Sequence, residues 1–162
     1  MKDKNATDFI PLLGLSSVEE RVKSTLVAYG IKKAPKISPI DFHAYAPIKQ
    51  CGLEFIFIDE AHIPPKAKTK SYEKKSLVLV TVSFDSGRDG TKKPFTGVLP
   101  NGLSFELDLA GVIKKLGKPA WKSKDIANVR WDLKNHSIMI GFDNEYREIY
   151  EISIQHLKLI PK

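Results

Sequence analysis

Hydrophobic positions along the chain change spacing several times, and the changes mark out its elements. In "GLSSVEERVKSTLVAYG" the apolar residues Val18, Val22, Leu26 and Tyr29 recur at helical spacing. Ser16 or Ser17 can act as N-cap, with Glu19 or Glu20 three residues on to close a capping box. Glu19 and Lys23 are spaced to pair at i, i+4, and Gly30 supplies a left-handed exit. This predicts an amphipathic helix of about three to four turns, which Pro35 and Pro39 prevent from continuing.

The spacing then shortens. Residues 52–59, "GLEFIFID", are rich in β-branched and aromatic side chains and read as a strand. Residues 76–84, "SLVLVTVSF", read as a second one: Leu77, Leu79 and Thr81 on one side, Val78, Val80 and Val82 on the other, apolar on both, as in a central strand. "DSGRDGTKKP" is a turn-rich loop, and "GLSFEL" is predicted as a further strand. Asp108 then caps a short helix with the stripe Leu109, Val112, Ile113 and Leu116, ended by Gly117 and Pro119. Residues 129–133, 137–142 and about 147–154 form an antiparallel meander with turns at Lys134-Asn135 and Asp143-Asn144.

The predicted fold class is therefore α+β, an antiparallel sheet with one helix per half packed on one face. A weak echo links the halves: "VEERVKSTLVAYGIKKAPK" with "LAGVIKKLGKPAWK", and "CGLEFIFID" with "NGLSFELDL". It suggests two tandem helix-plus-sheet units, residues 1–84 and 85–162, or one domain with an internal repeat.

Composition narrows the function classes. At 162 residues, 42% hydrophobic and 28% charged, the chain can bury a core without staples. Its single cysteine, Cys51, fits a reducing compartment. The N-terminus lacks the apolar stretch of a signal peptide and no run reaches membrane-span length, so the expected location is the cytoplasm. The net charge of +7 invites a nucleic-acid reading. However, the positive residues are dispersed except for Lys66, Lys68, Lys70, Lys74 and Lys75 in "PPKAKTKSYEKK", which reads as a mobile solvated loop or one that meets an acidic partner.

Catalytic signatures are scarce. There is no Walker loop, G-x-G-x-x-G, H-E-x-x-H, C-x-x-C or G-x-S-x-G. His43, His62, His136 and His156 share no metal-ligand spacing, so neither metal nor cofactor is expected. Cys51 with His43 or His62 could form a nucleophile and base, but free cysteine is more often a small hydrophobe. Asp85, Asp89 and Gly90 lack the remaining positions of a calcium loop and read as a turn. Asp143, Glu145, Glu148 and Glu151 could hold a carboxylate pair for hydrolysis, which would demand an organised pocket and a carboxyl of raised pKa. Of Trp121 and Trp131, one suits a core anchor and an exposed one an interface hot spot.

The order "FTGVLPNGLSF", a short helix ending "KKLGKP", the strand "RWDL" and a strand closed by a D-N turn resembles small bacterial immunity or immunity-like proteins. The front half, "LLGLSSVEERVKSTLVAYGIKKAPK" with "GLEFIFID", is similar to the opening of such proteins. The resemblance also extends to the tandem helix-plus-sheet arrangement of β-lactamase inhibitor protein. It implies a non-enzymatic protein that neutralises a cognate toxin by stoichiometric binding, with an acidic or neutral toxin suiting the basic chain and no membrane partner. The expected contact surface is the exposed sheet face of the last meander with residues 64–75 and 85–94. The candidate contact residues are Lys66, Lys68, Lys70, Lys74, Lys75, Arg88, Trp121 and Glu148. The alternative is a nucleic-acid-associated accessory protein using the basic loop and exposed aromatics.

Overall fold

The computed structural model describes residues 4–159. Among them, seven strands form one antiparallel sheet: β1 (His43–Ile48), β2 (Leu53–Asp59), β3 (Leu77–Asp85), β4 (Trp121–Lys122), β5 (Asn128–Asp132), β6 (Ser137–Phe142) and β7 (Ile149–Gln155). The spatial order is β1-β2-β3-β7-β6-β5-β4. Two meanders thus meet where their last strands, β3 and β7, pair from Thr81–Gln155 to Asp85–Glu151. The helices α1 (Glu20–Ala28) and α2 (Leu109–Leu116) each precede one meander, and both bury side chains in the same large core. The α+β class and the single helix-covered face agree with the hydrophobic pattern.

That core is built from alternate strand positions. Phe55, Phe84, Trp131, Ile138, Ile140, Ile152 and Ile154 pack with Val22 and Leu26 of α1 and Val112 of α2. Residues Ala6–Leu12 form a 3-10 helix that adds Ala6, Phe9 and Leu12. Phe9 meets Phe55 edge-on at 5.5 Å between ring centroids and lies 6.1 Å from Phe84. Each such fully buried side chain stabilises the fold by about 1.5–3 kcal/mol.

The central strand departs from simple alternation for an identifiable reason. Ile56 pairs with Thr81 but Phe57 pairs with Leu79, so Val80 is an extra residue in β3. The bulge inverts the phase: Leu77 and Leu79 join the core before it, Val82 and Phe84 after it, and Thr81 faces away. The expectation that Thr81 shares a side with Leu77 and Leu79 is corrected accordingly. The bulge also marks a change of partner. Beyond β7, the free side of β3 is taken by the N-terminal segment, through Gly14 N–H to Leu79 O at 2.8 Å and Ser17 N–H to Leu77 O at 2.7 Å.

This pairing shortens α1. Ser16 and Ser17 are held beside β3, so the helix starts at Glu20 and spans nine residues rather than three to four turns. Half of the capping box forms: the Ser16 N–H donates to Glu19 Oε2 at 2.6 Å, while the Ser16 hydroxyl accepts from the Val18 N–H. Glu19 takes Lys70 as its ionic partner at 2.6 Å instead of Lys23, and Val18 is exposed. Gly30, at φ +84°, provides the expected exit, with its N–H on Val27 O and the Ile31 N–H on Leu26 O. In α2 the Asp108 carboxylate accepts from the Gly111 N–H at 2.7 Å.

Other predicted boundaries also shift. β1 and the two-residue β4 were not foreseen; β1 contains Pro47, which an edge strand tolerates. "GLSFEL" is not a strand. Its backbone turns from Ser104 O to Leu107 N–H, and its Phe105 carbonyl is taken by Arg88 instead of a ladder partner. The echo between "CGLEFIFID" and "NGLSFELDL" therefore pairs a strand with an irregular connection. What repeats is the element order, a helix followed by a meander.

Candidate binding face

Helices and the N-terminal segment cover one face of the sheet, and the opposite face is treated differently at its two ends. At one end, Ile58, Val78 and Val80 are roofed by Ile63, Ala67 and Tyr72 of the β2–β3 connection and by Leu159. The Tyr72 hydroxyl donates to Gly14 O at 2.7 Å, Lys68 pairs with Glu60 at 3.0 Å, and Lys70 with Glu19. The hydrogen bond from Lys70 is the main reason the Glu19 carboxyl lies below its ordinary pKa. The lysine run is thus packed against the sheet as a strap rather than standing free in solvent. Its aromatic and apolar members insert into a small core, and two of its lysines are tied to carboxylates. Lys66, Lys74 and Lys75 remain exposed on it.

The other end is bare. A groove of about 380 Å³ crosses the sheet, lined by Tyr45, Thr81, Ser83, Arg130, Met139 and Glu151 among others. Strand register places Glu54, Ser83, Ser153, Met139, Arg130 and Trp121 in one unbroken row over six strands. At about 4.8 Å per strand the row spans roughly 24 Å. Arg130 Nε lies 3.0 Å from Asp132 Oδ1, and its guanidinium sits 5.7 Å from the Trp121 ring centroid. Trp121 is 41% exposed, whereas Trp131, on the core side, is 1% exposed and donates its indole N–H to Gly117 O at 2.9 Å.

The groove's electrostatics oppose the charge of the chain. Glu54 and Asp85 share Lys92, at 3.3 and 3.5 Å. Burial alone would lower the Lys92 pKa, but Glu54, Asp85 and Glu151 outweigh it and raise the net value. Glu151 is pushed up chiefly by burial and further by Glu54 and Asp85, against Lys92 and a hydrogen bond from Ser83 at 3.2 Å. At the β1 border, the hydrogen bond to Asp41 pushes the Tyr45 hydroxyl up to about 12.

The candidate contact residues are dispersed over this frame. Arg88 is occupied internally, with Nε donating to Ile149 O at 3.1 Å and a terminal nitrogen to Phe105 O at 3.0 Å. Glu148 lies 3.8 Å from the same guanidinium, so both residues belong to the seam between the 85–95 loop and β7. That loop is pinned against Gly52, at φ +59°, where a Cβ would lie 2.4 Å from Lys93 O. Asp85 and Asp89 accept from the Gly87 and Thr91 N–H groups, as in ordinary turns. Asp143 accepts from Arg147 and Glu148 N–H groups within its hairpin, and Glu145 pairs with Arg147; of the acidic set only Glu151 reaches the groove. Cys51 lies at the β1–β2 turn while His43 begins β1 at the far end of that hairpin, so they form no dyad. Among the described residues no group of three or more His, Cys, Asp or Glu side chains is placed to hold a metal ion.

The residues that line the groove, Ser83, Arg130, Met139, Ser153 and Gln155, were missed from the sequence. One signal for them was present: "EISIQ" alternates Glu151, Ser153 and Gln155 with core isoleucines, the pattern of a strand with one polar face. No helix among the described residues is long and apolar enough to cross a membrane. No protein-family model, curated protein or solved structure gives a significant match to this chain.

Proposed function

We propose that this chain is a stoichiometric binding protein of the immunity type, which neutralises a bacterial toxin by covering it with the bare end of its sheet. The observation that carries the reading is the row from Glu54 to Trp121. It lies on strands, free of the strap, and ends in Met139, Arg130 and Trp121. Arginine, methionine and tryptophan are enriched at protein interfaces and give rigid anchors at low ordering cost. A face about 24 Å wide on strands about 20 Å long offers roughly 480 Å² at most, part of it under the strap, so the ~800 Å² that a standard interface buries on each partner would draw on the loop rim as well. The resemblance of "FTGVLPNGLSF" through "RWDL" to immunity proteins supports the same reading.

The nucleic-acid alternative draws less support. The lysine run and Trp121 lie on the same sheet face, but between them stand Glu54, Asp85 and Glu151, carboxylates that would repel a phosphate backbone. The test is co-expression with the product of the neighbouring gene. A one-to-one complex on size exclusion and rescue of growth are expected, and the absence of both overturns the reading.

A further inference from the structure

We infer that the groove receives a cationic side chain, an arginine or lysine projecting from the bound protein, with Glu151 as its counter-charge. This rests on the binding role of the bare sheet face and specifies the chemistry that enters it. Glu151 projects from the middle of β7, flanked by β3 and β6. A carboxylate withdrawn from water is costly unless it is paired with a cation and fully hydrogen-bonded. Among the described residues Glu151 has no ion-pair partner within 4.0 Å, and its hydrogen bond is a single one, from the Ser83 hydroxyl at 3.2 Å.

The nearby cations are committed elsewhere. Lys92 lies on Glu54 and Asp85 and reaches Glu151 only through its longer-range field, and Arg130 lies beside Asp132 and the Trp121 ring, its Nε 3.0 Å from Asp132 Oδ1 but without hydrogen-bond geometry. A second acceptor in the same groove also lacks a donor: Gln155 Oε1 is buried without a hydrogen-bond partner. Gln155 and Glu151 are four residues apart on one strand and face the same side, with Ser153 between them, so the two acceptors are spaced about 13–14 Å apart at the backbone along the groove. Glu151 is the charged one of the two, and an ammonium or guanidinium brings it several proton donors on one charged group, while Gln155 leaves a further acceptor along the same groove for a neighbouring donor of the partner.

Charge on the face has the matching sign. Glu54, Asp85, Asp132 and Glu151 stand against Lys92 and Arg130, so the face is locally acidic on a chain of net charge +7. A partner neutral or acidic overall, carrying one basic projection, satisfies both the long-range and the local field. Insertion of the cation would hold Glu151 ionised and return its pKa toward the ordinary glutamate range.

The experiment follows the side-chain carboxyl carbon of Glu151 by NMR across pH. Spectra are taken alone, with N-acetyl-arginine N-methylamide at about 50 mM, and with the uncharged citrulline analogue, a regime suited to weak millimolar binding. A downward shift of the Glu151 titration with the arginine amide only, with perturbed signals centred on Glu151, Ser153 and Gln155, is expected. Equal effects of both amides, or none at Glu151, overturn the inference. In the toxin complex, Glu151→Gln should weaken binding roughly thirtyfold while the free protein stays folded. Unchanged affinity overturns the inference and leaves the immunity reading standing. If wild type forms no complex while the arginine amide still moves Glu151, it is the immunity reading that fails.

Discussion

The two ends of the same sheet face are finished in opposite ways. At the roofed end the strands present Ile58, Val78 and Val80, and the strap with Leu159 closes over them. At the other end the same strands and their neighbours present Glu54 and Met139, with Thr81, Ser83 and Ser153 buried between longer side chains at the groove floor and Lys92 reaching over Glu54 and Asp85. The bulge at Val80 is the border, since it turns β3 from valines to hydroxyls on that face. Where the face is apolar the chain spends seventeen residues of connection on covering it, residues 60–76. Where it is polar and grooved it is left open, as an antiparallel sheet with one wet face can be.

The comparison can be broken most forcefully in the small core. Ile63→Ala should cost about 2–4 kcal/mol, whereas Met139→Ala on the bare side should cost less than about 1 kcal/mol. Urea denaturation of both variants measures the contrast, and similar losses would erase the distinction between the ends. A smaller effect is expected of Tyr72→Phe, which removes the hydrogen bond to Gly14 O and the longer one with the Thr69 hydroxyl at 3.4 Å. It should cost about 1 kcal/mol and speed amide exchange within residues 60–76, with β6 unaffected.

The subtlest difference is a pH dependence. Burial raises the folded-state pKa of Glu151 above its unfolded value. Its stabilising contribution is therefore full below the ordinary glutamate range and is lost as pH rises through the folded value. Wild-type Tm should decline more over that window than the Tm of Glu151→Gln, and the variant should be at least as stable at neutral pH. Such a gain would mark Glu151 as a residue kept for binding at some cost in stability. A variant that melts lower at neutral pH would instead make Glu151 a structural residue.

Local signals made much of the fold legible and little of the site. Asp108, Gly30 and the alternation of "SIMIGF" act through nearest neighbours, so the caps and the β6 faces are as the pattern predicts. The start of α1 was misjudged because Ser16 and Ser17 pair with β3, some sixty residues away in sequence. The strap was misread for a similar reason: lysines look solvated until Glu19 and Glu60 are brought beside them. "GLSFEL" has strand composition but finds Arg88 rather than a sheet edge. The groove depends on register across six strands, which no local pattern encodes, although "EISIQ" hinted at its floor. Of the two tryptophans, Trp121 is the exposed one and Trp131 the core one, while Arg88 and Glu148 lie in the seam.

If the proposed immunity role is right, the open end of the sheet, and not the helix-covered side, meets the toxin. The decisive measurement is growth of cells expressing a toxin that the wild-type chain neutralises together with either Met139→Glu, in the groove, or Lys114→Glu, exposed on α2. With thermal melts confirming that both variants fold, Met139→Glu should abolish protection and Lys114→Glu should protect as wild type does. Full protection by Met139→Glu, or its loss in Lys114→Glu alone, would contradict the account.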